Sequence, residues 1–176
     1  MRAPWRFGWS AVSTMMGDAP GAKARLYEVV LDEASIGRGT PDQEHERAVA
    51  IYDLTSENSF APPGAGEGPF SLRVAEQEGK LTFDINAQSG ETLLSFSVSM
   101  TPFRSLLKDY FLVCEDYYSA IRTASPRQIE EIDRARASLH NEGADLVMAR
   151  FTDRVAIDAA TARRLFTLIS SLFWKA

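Results

Sequence analysis

Six side chains stand out for the chemistry they could perform: Arg38, Asp42, His45, Arg104, Lys108 and His140. Arg38 sits between Gly37 and Gly39 just ahead of a helix start, where a guanidinium and backbone N–H groups can hold a phosphate or carboxylate. Asp42, Glu44 and Glu46 crowd the first two turns of that helix, satisfying its positive end and repelling an anion. The loop therefore reads either as an anion site or as a structural turn with Arg38 paired to a carboxylate. Asp42 and His45, three residues apart, share one side of a helix and could supply two metal ligands or an acid and base pair. A metal would need His140 to join them across the fold; the plainer reading is of histidines hydrogen-bonded at a helix surface. No metal and no other cofactor is expected. Arg104 and Lys108, one turn apart near the helix end that disfavours positive charge, call for compensation by the acidic turn at Asp42 or by a bound anion.

No residue can be assigned a catalytic role from the sequence. The phosphate-cradling patterns GxxxxGK[ST] and GxGxxG are absent, and no serine lies in a GxSxG elbow. Cys114, the only cysteine, rules out an intramolecular disulfide and a thiolate cage, and its place on an apolar helix stripe makes it a small buried hydrophobe. Tyr110, Tyr117 and Tyr118 read as packing residues with a polar tip.

These side chains must be positioned by a pattern of strands and helices that the sequence spells out. Residues 26–32 alternate with apolar side chains on both faces, predicting a covered strand. Thr40, Pro41 and Gln43 open a helix to about residue 57. The glycines and prolines of residues 61–69 make a loop. Three period-two segments around Leu72, Phe83 and Phe96, parted by Glu78-Gly79 and Ser89-Gly90, predict an antiparallel meander with one apolar and one polar face. Thr101 as cap and Pro102 as first residue start a helix to about residue 123, apolar around most of its girth. Ser125, Pro126 and Gln128 start another, which Asn141 and Gly143 could end early; the stripe through Ile132, Ala135, Leu139 and Gly143 keeps phase and favours one helix to about residue 151, with Gly143 permitting a close neighbour. Asp158 caps a last helix to residue 174. The expected class is α+β: a mostly antiparallel sheet in the order β-α-β-β-β-α-α-α, with helices packed on one face.

The chain of 176 residues suits one domain, residues 24–176, preceded by a flexible tail of residues 1–23 containing Trp5, Phe7 and Trp9. Met15 and Met16 offer an alternative start. The first 25 residues hold Arg2, Arg6, Lys23 and Arg25 against Asp18, so of the total charge of −5 the remainder carries −8. Such acidity, and a serine-rich sheet face without exposed aromatics, speak against nucleic acid. No apolar run approaches the roughly 20 residues that span a bilayer, and a single cysteine suits the cytoplasm.

The string of residues 36–54, IGRGTPDQEHERAVAIYDL, resembles a known family, as do 101–104, 108–111, 120–124, 139–143 and 161–169. The resemblance is to Uncharacterised Protein Family two-sixty-two, small alphaproteobacterial proteins, and extends from about Leu26 to Trp174; the first 22 residues are longer than the usual start. It implies a bacterial cytosolic protein and supplies no activity, cofactor or catalytic residue. The leading expectation is a non-catalytic interaction or regulatory domain that self-associates or binds a protein partner; its surplus apolar residues Phe111, Leu112, Tyr118, Leu168 and Trp174 either cover the same core or form a symmetric interface. The alternative is an enzyme or small anionic-ligand binder that gathers the six residues named first.

Overall fold

The computed structural model describes residues 24–174; the expected tail lies outside the described residues. The element order is β1 (Leu26–Leu31), α1 (Glu33–Ile36), α2 (Pro41–Ser56), β2 (Phe60–Ala61), β3 (Phe70–Gln77), β4 (Lys80–Ala87), β5 (Thr92–Ser99), α3 (Thr101–Thr123), α4 (Pro126–Phe151), β6 (Ala156–Ile157) and α5 (Ala159–Phe173). The period-two segments become β3, β4 and β5, an antiparallel meander in which Val74 faces Phe83 and Phe83 faces Phe96. Leu72, Val74, Leu81, Ile85 and Val98 are buried with those phenylalanines, whereas Ser95 and Ser97 on the opposite face are exposed. Glu78 and Gly79 both take positive φ, 52° and 76°, the mirror-image turn whose twist matches the flanking strands.

β1 joins the other side of β3 in parallel, giving the order β1-β3-β4-β5 and a mixed sheet. The intervening α2 supplies the crossover that parallel neighbours require. The expectation of a covered strand is corrected: β1 lies at the sheet edge, with Tyr27, Glu28 and Val30 exposed. Its apolar residues serve two surroundings, since Val29 pairs in register with buried Leu72 and Val30 with exposed Arg73. Arg73 bridges Asp32 at 2.9 Å and Asp84 at 3.4 Å on the polar face.

Three elements are too short for periodicity to reveal. α1 is a single turn, and β2 pairs antiparallel with β6, Phe60 against Ile157, so Ala61 belongs to a strand and not to the loop.

The helices form a layer in which α3 packs on α4, α4 on α5 and α5 on α2. Thr40 and Ser125 close the expected capping boxes, and Asp158 accepts from the Thr161 N–H at 2.8 Å. α3 departs from expectation: Thr101 is already helical, and Met100 caps it without a side-chain hydrogen bond. α4 runs unbroken through Gly143, but its buried face passes through Arg136 and His140 where Ala135 was expected. At its end Phe151 meets Phe83 and Phe96 edge-on, with ring centroids 5.0 and 5.1 Å away. Of the two places open to Leu168 and Trp174, the core or an interface, both take the core.

Gly143 is where α4 and α5 touch. A Cβ there would stand 2.3 Å from two ring carbons of fully buried Phe166, which is itself packed against Tyr110 and His140. Overpacking of this kind costs about 1–3 kcal/mol and outweighs the roughly 1 kcal/mol of helix propensity that alanine brings. Gly143→Ala is therefore expected to lower the urea midpoint of unfolding by the equivalent of about 1–2 kcal/mol at unchanged m-value; equal or greater stability would show that the two helices can separate without loss.

Candidate functional site

The edge of β1 is closed at one end and open at the other. Peptide groups of a strand point alternately to either side, and the Asp32 N–H donates to Val74 O on the β3 side at 2.8 Å. Those of Val29 and Leu31 therefore point away from β3, and among the described residues no strand pairs with them. At Leu26, by contrast, the Asn58 side chain imitates a strand: Oδ1 accepts from the Leu26 N–H at 2.7 Å and Nδ2 donates to Leu26 O at 2.9 Å. Nδ2 also donates to Leu54 O at 2.8 Å, so this clip fastens the start of β1 to the end of α2.

Beside the open part runs a groove of about 320 Å³. One wall is Val29, Val30 and Leu31 of β1, another is Ala48 and Ile51 of α2, and Ile36 with the following loop closes an end. Four charged residues line it: Glu33, Arg38, Glu44 and Arg47. Arg47, with a side chain only 7% exposed, donates from Nη1 to Gly37 O and to Glu44 Oε1, each at 2.9 Å. Glu44 Oε1 also accepts the Gly39 N–H at 2.6 Å. The Thr40 N–H goes to Gln43 Oε1 at 3.0 Å. The chain's own side chains thus occupy the helix start on which the expected anion site depended. The carboxylate pairing expected of Arg38 is made by Arg47; Arg38 is exposed and makes no ion pair among the described residues.

A second cluster lies in the interior between α3, α4 and α5. His140 is buried there, correcting the expectation of a surface histidine; its Nε2 lies 3.1 Å from Thr167 Oγ1, with the Tyr110 and Phe166 rings around it. Burial, reinforced by the Arg163 and Arg136 guanidinium groups, holds its pKa down to about 4. Burial likewise pushes the Cys114 thiol up to about 12 and the Tyr110 hydroxyl well above its usual range. Arg136 is neutralised by Asp133, with Nε at 3.1 Å, and lies over the Tyr117 ring.

The six residues singled out by sequence fall in different places. Arg38 lines the groove; Asp42 and His45 begin the same α2 without lining it. Arg104 stands over the β3–β4 turn, where a Cβ on Gly79 would lie 3.3 Å from its Nη2, and Lys108 follows on exposed α3. α2 and α3 occupy opposite ends of the helical layer, so the acidic turn at Asp42 does not compensate Arg104 and Lys108. Sequence reasoning missed Arg47, Val30 and Ile51. The i,i+3 spacing of Glu44 and Arg47 was the available signal for the first, and the edge position that exposes Val30 had none. Among the described residues no group of three or more His, Cys, Asp or Glu side chains could hold a metal, and no helix is long and apolar enough to cross a membrane.

Fold and site together define an α+β domain whose mixed sheet carries the edge strand β1 beside a small groove. The chain belongs to the uncharacterised protein family UPF0262, whose model matches residues 23–175. A UPF0262 protein of Xanthobacter autotrophicus is 54% identical over 163 residues, covering 91% of this chain and 99% of the relative. One from Rhodopseudomonas palustris is 54% identical over 151 residues, 86% of this chain and 93% of its own. Another, from Nitrobacter hamburgensis, is 52% identical over 154 residues, 88% and 94% respectively. The family carries no assigned function. No solved structure matches the chain.

Two titrations follow from the interior cluster. His140 is neutral when folded, whereas the unfolded chain takes up a proton near the ordinary imidazole value of about 6.5. Its contribution to stability is therefore fully present above about pH 6.5 and lost as pH falls to about 4, a change of about 3 kcal/mol. Urea unfolding across that range should show this extra loss in the wild type and not in His140→Gln; identical pH profiles would remove the imidazole as its source. The Cys114 thiol should resist iodoacetamide in the native protein at about pH 8 and react once urea unfolds it. Rapid native labelling would contradict its burial.

Proposed function

We propose that this chain is a cytoplasmic interaction or regulatory domain, without catalytic chemistry of its own, that holds a protein partner at the open edge of β1. The groove carries this reading: outward-facing peptide groups at Val29 and Leu31 adjoin apolar walls, with Val30 44% exposed. Backbone groups on a strand edge accept another strand, and exposed apolar side chains next to them favour burial. The partner is a segment of another protein or of a second copy of this chain. A lone buried cysteine and described helices that do not suit a bilayer agree with a cytoplasmic setting.

A second reading places a small anionic ligand in the same groove, favoured by Arg38, whose charge no described carboxylate neutralises. Its chemistry would be recognition of a phosphate or carboxylate by the guanidinium.

Ala48, exposed on α2 and facing the groove, allows both readings to be tested without touching the core. The full chain and its Ala48→Trp variant would each be used for affinity capture from native lysate, with mass spectrometry of retained proteins and small molecules. A protein held by the wild type and released by the variant is the expected result. A small molecule alone would support the second reading, and partners indifferent to Ala48→Trp would sink the groove as the docking place.

A further inference from the structure

Resting on the interaction reading above, we propose that the groove accepts an extended peptide as a fifth strand of the sheet, carrying an aliphatic side chain flanked by one acidic and one basic residue. Three observations select this occupant. First, among the described residues the unclaimed rungs of β1 number two, at Val29 and Leu31, because Asn58 already occupies the rung at Leu26. A short strand is all that such an edge can pair. Second, the groove is lined both by this edge and by α2, so an incoming chain lies against a helix as well as against the strand. A single extended segment fits there, whereas a folded domain bringing its own helices to the same edge would meet α2. The volume of about 320 Å³ is at the lower end of ligand sites and suits one or two aliphatic side chains against Ile36, Ala48 and Ile51.

Third, the charges are left in a definite pattern. Glu44 and Arg47 neutralise each other at 2.9 Å, which leaves Glu33 and Arg38 as the groove residues whose charge no described ion pair absorbs. A segment with an acidic group toward Arg38 and a basic group toward Glu33 complements both, and strand pairing fixes the distance between them.

The test uses the full chain and a fluorescently labelled positional-scanning hexapeptide library, read by anisotropy. Enrichment of one acid and one base around valine, isoleucine or leucine is expected. Arg38→Glu should turn the acidic preference basic, weakening the best wild-type binder by up to about fivefold, as loss of an exposed ion pair implies. Glu33→Lys should reverse the other preference. N-methylation of alternate amides in the best peptide should abolish binding, because it removes the donors a strand needs. Binding that survives methylation at every amide would overturn strand addition, and selection indifferent to both charge reversals would overturn the charge assignment. A library without binders would also overturn it; if Ala48→Trp nonetheless releases a captured protein, the broader interaction reading stands and only the peptide mode is lost.

Discussion

The structure depends on one sheet face being taken out of water. Leu72, Val74, Leu81, Phe83, Ile85, Phe96 and Val98 are oily, contiguous and too extensive to leave exposed, and the helices exist where they do because they cover that face. The three rings of Phe83, Phe96 and Phe151 join sheet to helix within 5.5 Å centroid distances. Each buried phenylalanine contributes on the order of 2–3 kcal/mol, comparable to a sizeable share of a domain's net stability. Packing at this density leaves little tolerance, which is why a glycine is needed where α4 crosses Phe166 and why a histidine in the same layer is held uncharged.

That constraint also explains what could be read in advance. The meander was legible because one face is buried and the other wet, so the side chains alternate along β4, from Leu72 to Ala75 in β3 and from Leu94 to Ser99 in β5. The capping boxes at Thr40 and Ser125 were legible because the orphan N–H groups of a helix start demand particular side chains within four residues. Gly143 could be assigned a packing role because the stripe of α4 keeps its phase across it.

What was not legible is long-range. Whether a strand rich in valine lies in the middle of a sheet or at its edge is decided by its neighbours, and β1 has apolar residues on both faces for reasons that differ between Val29 and Val30. Charges behaved similarly. Arg38 had the glycines and the helix start that suggest a ligand site, yet Glu44 and Arg47 occupy that helix start, and Arg38 turns toward a groove formed by a strand 7 or more residues earlier. Only a metal would draw His140 toward Asp42 and His45, and the plainer expectation of a surface histidine fails too, because the fold places it among rings of α3 and α5. Partners in space for a polar residue cannot be read from spacing once the contact spans elements.

Asn58 has one more consequence. An open strand edge invites uncontrolled stacking of chains, the route to fibrils, and long edges are the dangerous ones. By filling one rung itself, next to the register shift between Leu26 and Glu28, the molecule shortens the exposed ribbon of β1 to a stub. Substituting this asparagine would lengthen that ribbon and bring the protein closer to aggregation, even though nothing in the hydrophobic interior had changed.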